Sequence, residues 1–118
     1  MSIASLTTYL INLDTSIERR LSAEQYLKSA GLEFTRVPAF DGRGANPKDF
    51  AEYDHHRARG WFGRGLSGAE LGCYFSHVAC VRRFLQSDAA FGLVLEDDLA
   101  LEPSAADILR SSLDFLET

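Results

Sequence analysis

The chain switches between two hydrophobic periods, and the order of the switches sets the elements. Residues Leu6 to Leu13 are rich in β-branched and aromatic side chains and stop at Asp14, the pattern of a buried strand ending in a turn. Thr15 and Glu18 then stand at capping-box spacing, which predicts a helix from about Ser16 to Ala30. Its apolar side carries Ile17, Leu21, Leu27 and Ala30, and Gly31 is its stop. A second strand is expected over Glu33 to Phe40. Strand, helix and strand with short joints make a βαβ unit, whose crossover leaves the two strands parallel.

From Asp41 to Gly65 the periodicity breaks. Six of the nine glycines lie between Gly42 and Gly68, so the segment reads as irregular apart from a short helix around Pro47 to Tyr53. A loop of this length is either a flap over a binding site or a surface excursion. Order returns with Ser67 and Glu70, a second capping-box spacing, at the head of a helix reaching about Ser87. That helix carries one stripe of Leu71, Tyr74, Phe75, Val78, Val81 and Leu85 and a second of Cys73, His77, Cys80 and Phe84, so it is expected to be largely buried. Phe91 to Leu95 is a short strand that delivers Glu96, Asp97 and Asp98 just past its carboxyl end. A last helix begins near Ser104, capped by Ser104 and Asp107, with an apolar face of Ile108, Leu109, Leu113 and Leu116.

Composition narrows the function classes. With 118 residues, 46% of them hydrophobic, the chain supports one modest core, read as a single domain over 1–118. A formal net charge of -5 argues against a nucleic-acid partner. Cys73 and Cys80 sit seven apart on one helix, ~10 Å along its axis and too far for a disulfide. Reduced thiols, no basic leader and no apolar run of ~20 residues point to a cytoplasmic protein, a reading compatible with peripheral contact with the inner membrane.

The candidate chemistry centres on the acidic triplet. Adjacent carboxylates repel one another unless a cation neutralises them, and a hard ion such as Mn²⁺ or Mg²⁺ takes oxygen ligands and substrate phosphates. Alternation points Glu96 and Asp98 the same way; the competing reading of the triplet is a solvated turn after a strand. Open α/β sheets bind ligands at this end of their strands. Asn12, Asp14, Asp41 and Gly42 close the first two strands there, each also explicable as a turn former. Of Arg19 and Arg20 in the first turn of the first helix, one is expected to reach a phosphate or Asp14 and the other to be an exposed helix charge. His77 reads as a ligand contact or a core histidine, and His55 and His56 as solvent-exposed. Cys73, His77 and Cys80 lack a fourth partner for structural zinc. The motifs of serine hydrolases, P-loop nucleotidases and HExxH metalloproteases are absent.

Four segments in order carry a family resemblance: Tyr9-Leu-Ile-Asn-Leu-Asp14 with Glu18-Arg-Arg20; Arg36-Val-Pro-Ala-Phe-Asp-Gly42; Glu70-Leu-Gly-Cys73 with Ser76-His77; and Leu93-Val-Leu-Glu-Asp-Asp98. The chain resembles glycosyltransferase family 25, the lipopolysaccharide-type transferases that include collagen galactosyltransferase-like proteins. Thr15 and Ile17 depart from the family's frequent Arg and Pro, and Ala69 from its usual Gly. The resemblance implies a Rossmann-like GT-A fold of mostly parallel strands, apparently truncated here, since members usually run on into further strands and the acceptor site. It implies a UDP-sugar donor, galactose by preference, and a saccharide or glycolipid acceptor. Asp98 and then Glu96 would be the metal ligands and Asp97 would face the ribose or donor sugar, while Asn12, Asp14, Arg20, Asp41, Gly42, Glu70 and His77 would surround the donor. Inverting transfer would take its base from beyond Thr118. Two readings follow: a donor-binding transferase portion completed by another chain, homodimerisation being one route, or a non-catalytic nucleotide-sugar-binding module.

Overall fold

Three short apolar runs pair as a parallel sheet because helices carry the chain back between them. In the computed structural model, which describes residues 5–117, the elements are β1 (Leu6–Asn12), α1 (Ile17–Ser29), β2 (Thr35–Pro38), a 3₁₀ turn (Pro47–Asp49), α2 (His55–Phe62), α3 (Gly68–Leu85), β3 (Phe91–Glu96) and α4 (Ala105–Glu117). The sheet order is β2-β1-β3, all parallel. The expected α/β architecture with a parallel sheet flanked by helices is therefore present. Central β1 is buried over Thr8 to Asn12, whereas β3 pairs only with β1 among the described residues and is half-buried.

Alternation along the strands sorts the core into two layers. Leu10 and Leu95 pack with Ala23, Leu27, Ala30 and Leu32 of α1 and its exit, joined by Ala105, Ala106 and Leu109 of α4. Tyr9, Ile11, Val37 and Val94 pack on the other face against Ala79, Cys80 and Phe84 of α3. Helices thus cover both faces, as a parallel sheet requires.

Several local expectations are corrected. The N-cap of α1 is Ser16, not Thr15, and no side chain caps it, because Ser16 N–H closes a turn onto Leu13 C=O and leaves Thr15 outside the helix. The buried stripe of α1 is Ala23 and Leu27, while Ile17 and Leu21 are each 55% exposed. The strand expected over Glu33 to Phe40 pairs only over Thr35–Pro38.

The segment after Asp41 holds a 3₁₀ turn over Pro47–Asp49 instead of a helix to Tyr53, and then α2, which the glycine content concealed. Asp54 caps α2 by accepting from Arg57 N–H, and Gly63 ends it at φ 75°. Phe50 meets Phe40 edge-on and Phe75 at a tilt, with ring centroids 5.9 and 5.4 Å apart, docking this segment on α3. His55 is half-buried rather than exposed, with its Nδ1 2.9 Å from the Tyr53 hydroxyl. Ser67 and Glu70 form the expected capping box. The rest of α3 is less buried than its two stripes suggest: Tyr74, Val81 and Leu85 are at least half exposed.

One seam fixes how α3 meets the sheet. Gly68, Gly72, Ser76 and Cys80 recur every four residues and form a ridge of small side chains. A Cβ on Gly42 would lie 1.9 Å from Gly68 C=O, and one on Gly72 would lie 2.6 Å from Phe40 C=O. The Ser76 hydroxyl accepts from Phe40 N–H at 2.9 Å and donates to Gly72 C=O at 2.8 Å. Backbone meets backbone here, so no flexible side chain can yield. Gly42→Ala and Gly72→Ala should each destabilise by about 2 kcal/mol or more in urea unfolding. Gly60→Ala, in α2 with open space around it, should instead stabilise by about 0.5–1 kcal/mol.

Candidate functional site

The carboxyl ends of all three strands open on one cleft of about 310 Å³. Its walls carry Asn12 from β1, Asp41, Gly42 and Arg43 after β2, Cys73 and Ser76 from α3, Arg19 from α1, and Glu96, Asp97 and Asp98. This is the position at which open α/β sheets take ligands.

Asn12 holds the strand ends together. It is 2% exposed, and its amide donates to Asp97 Oδ2 at 2.7 Å and to Ser16 C=O at 3.1 Å while its Oδ1 accepts from Arg36 Nε at 3.0 Å. Arg36 also donates to Asn12 C=O at 2.9 Å and pairs with Asp14 at 2.6 Å. β1, β2, the start of α1 and the turn after β3 thus share one network. Arg36 stands in a quoted motif yet received no role from the sequence, because only the register Leu10↔Arg36 shows that it shares Asn12's face.

The acidic triplet divides into three environments. Glu96 ends β3 on the α3 side, where its Oε1 accepts from Cys73 Sγ at 3.2 Å and lies 3.4 Å from His77 Nε2. The Cys73 hydrogen bond, followed by that of His77, lowers the Glu96 pKa; the same bond to Glu96, with burial, raises that of the thiol. Asp97 turns to the α1 side, bridging Asn12 and Arg19, the latter at 2.9 Å, and its side chain is only 11% exposed. Asp98 is exposed on the cleft wall and has no hydrogen-bond or ion-pair partner among the described residues. The strand ends at Glu96 and the chain turns at Asp97 and Asp98, so alternation does not extend to Asp98.

The remaining candidates separate. Asp41 and Gly42 line the cleft, with Asp41 forked onto Arg43 at 2.9 and 2.8 Å. Asp14 lies beside the cleft in its Arg36 pair. Arg20 faces Glu24 at 3.7 Å, and it is Arg19 that reaches the cleft. Glu70 is forked by Arg64 at 2.7 and 3.1 Å and accepts from Ser67 N–H, outside the cleft lining. His77 touches the site through Glu96 alone. Cys80 lies fully buried in the core, away from Cys73, and both cysteines are free.

Two exposed carboxylates are held below their ordinary pKa by ion pairs and carry a pH-dependent contribution to stability that solvent screening keeps small. The Arg43 guanidinium lowers Asp41 from 3.8 to about 2, and Arg64 with Ser67 lowers Glu70 from 4.5 to about 2. A depressed folded-state pKa contributes stability that is whole above the unfolded value, so this contribution is present above about pH 4.5 and lost as pH falls toward 2. Urea midpoints measured across that window should fall in the native chain and fall less steeply in a double Asp41→Asn, Glu70→Gln variant. Asn12→Ala removes three side-chain hydrogen bonds, two of them to charged groups, and should cost about 2–4 kcal/mol in urea unfolding at pH 7.

Comparison with known proteins gives the chain's family. Residues 5–118 match the sequence profile of glycosyltransferase family 25, described as LPS biosynthesis protein. A glycosyltransferase 25 family member of Drosophila pseudoobscura pseudoobscura is 31% identical over 106 residues, covering 80% of this chain and 16% of that protein. Procollagen galactosyltransferase 1-B of Xenopus laevis is 30% identical over 113 residues, 92% of this chain and 18% of the relative. Human procollagen galactosyltransferase 2 is 25% identical over 113 residues, again 92% and 18%. The chain therefore spans less than a fifth of the length of these curated relatives. No solved structure matches. The profile covers all four motif segments, including the strand ends that build the cleft, and the chain belongs to glycosyltransferase family 25.

Proposed function

We propose that the cleft holds the nucleoside diphosphate of a UDP-sugar and that the chain is the donor-binding portion of a transferase. The transferred group would be a hexose, and galactose is the sugar that the vertebrate relatives' names suggest. The acceptor would be a saccharide or glycolipid, of the lipopolysaccharide kind in keeping with the family's description.

The observation that carries this reading is the convergence of three strand ends on one cleft with an unpartnered carboxylate, Asp98, in its wall. Two guanidiniums, Arg19 and Arg43, share the lining and suit phosphate oxygens. The donor set also fits a hard divalent ion: Asp98 is open, and Glu96 has its Oε2 outside the bonds to Cys73 and His77. Such an ion, Mn²⁺ or Mg²⁺, would neutralise charge on the departing diphosphate. Asp97 would act at one remove, holding Arg19 toward the cleft.

A second reading draws on the engagement of the other carboxylates. With Asp98 given to the metal, Glu96, Asp97 and Asp41 are each tied to a neighbour, which leaves no further free carboxylate among the cleft residues to serve as base for an acceptor hydroxyl. In that reading the chain binds a nucleotide sugar without transferring it.

Calorimetric titration with UDP in the presence and absence of Mn²⁺ tests the shared premise. Binding should depend on the metal, and Asp98→Asn should weaken it by about tenfold or more, about 1.4 kcal/mol. Metal-independent binding, no binding, or an unaffected Asp98→Asn would remove the site assignment. Turnover of UDP-galactose then distinguishes a transferase from a binding module.

A further inference from the structure

We propose that Cys73, His77 and Glu96 form a three-ligand site for a thiophilic divalent cation, Zn²⁺ above all, on the α3 side of the cleft. Positions 73 and 77 lie one turn apart on α3, so thiol and imidazole share a helix face. Alternation along β3 turns Glu96 toward that face. The three ligand atoms lie within 4.8 Å of one another, and they are the one such group of three among the described residues.

The two spacings to Glu96 suit tetrahedral coordination. Sγ to Oε1 is 3.2 Å and Nε2 to Oε1 is 3.4 Å. Zinc bonded to sulfur at ~2.3 Å and to nitrogen or oxygen at ~2.0 Å spreads its ligands roughly 3.3–3.6 Å apart, so both spacings to Glu96 are near those of a bound ion, and the thiol and imidazole, within 4.8 Å of each other, close up by rotation of their side chains. On binding, the Cys73 proton leaves to solvent and the metal–sulfur bond takes its place. Thiolate and carboxylate then balance the double positive charge, with His77 neutral.

Softness separates this site from the hard-ion reading of Asp98. A thiolate selects Zn²⁺ over Mg²⁺ or Mn²⁺. Three protein ligands leave a fourth position, and because Cys73 and Glu96 both line the cleft, that position borders the space proposed for the donor. Glu96 is common to both readings, whereas Cys73 and His77 are not. The cysteine and histidine variants therefore carry the test.

The reduced chain is titrated with Co²⁺ without nucleotide. A thiolate-to-cobalt charge-transfer band should grow to one equivalent and be displaced by Zn²⁺ but not by Mg²⁺. Cys73→Ser should abolish the band, His77→Ala and Glu96→Gln should each weaken Co²⁺ by about tenfold or more, and Cys80→Ala and Asp98→Asn should retain it. In the unaltered chain, Zn²⁺ should protect one thiol from a disulfide reagent and Mg²⁺ should not. No band, a band surviving Cys73→Ser, wild-type titration of both other ligand variants, or no Zn²⁺ protection would overturn the proposal. Since no nucleotide is present, these outcomes are independent of whether UDP binds.

Discussion

A single buried amide, that of Asn12, ties together the end of the sheet where the cleft opens. At 2% exposure it must find partners for its polar atoms, and it finds them in Arg36, Ser16 and Asp97. Each partner belongs to a different part of the chain, so satisfying one side chain fixes the spacing of β1 to β2, the start of α1 and the turn after β3. Holding Asp97 on the α1 side leaves Glu96, one residue back, on the α3 side. The acidic triplet therefore does not sit as three equivalent carboxylates repelling one another. It is one half-buried member in an ion pair, one member at a thiol and imidazole, and one free at the cleft wall.

The opposite wall depends on the absence of side chains. Gly42, Gly68 and Gly72 let α3 approach the turn after β2 at backbone contact, and Ser76 adds hydrogen bonds to Phe40 N–H and Gly72 C=O. That approach brings Cys73 and His77 within reach of Glu96 and sets Asp41 on the cleft. The aromatic contacts of Phe40, Phe50 and Phe75 then hold the 41–65 segment against the same helix. Gly42, chosen from sequence as a donor contact, thus has a packing role of its own.

What the sequence made legible were the features with strong local chemistry. The βαβ order, the Ser67–Glu70 capping box and the delivery of Glu96 to Asp98 at a strand end all follow from period and spacing. The failures share a cause, which is information held in the partner and not in the segment. The buried side of α1 depends on which of its residues meet the sheet, and the exposure of Tyr74, Val81 and Leu85 depends on what covers α3. Arg36 could be assigned only once strand register placed it beside Asn12. The Cys73–His77 pair was visible at helical spacing, but its third member lies 19 residues past His77 and on another element. α2 was hidden by glycine-rich flanks, although Asp54 and Gly63 were readable as its caps.

Membership of glycosyltransferase family 25 and the cleft at the strand ends support the same account, in which this end of the sheet receives a nucleoside diphosphate. The most direct test is a residue-resolved amide chemical-shift map of the chain titrated with UDP and Mg²⁺. The account predicts shifts clustered at residues 12–14, 40–43 and 96–98, with little change along α4. Shifts centred on α4 or on the outer face of α2, or no shifts at saturating ligand, would contradict it.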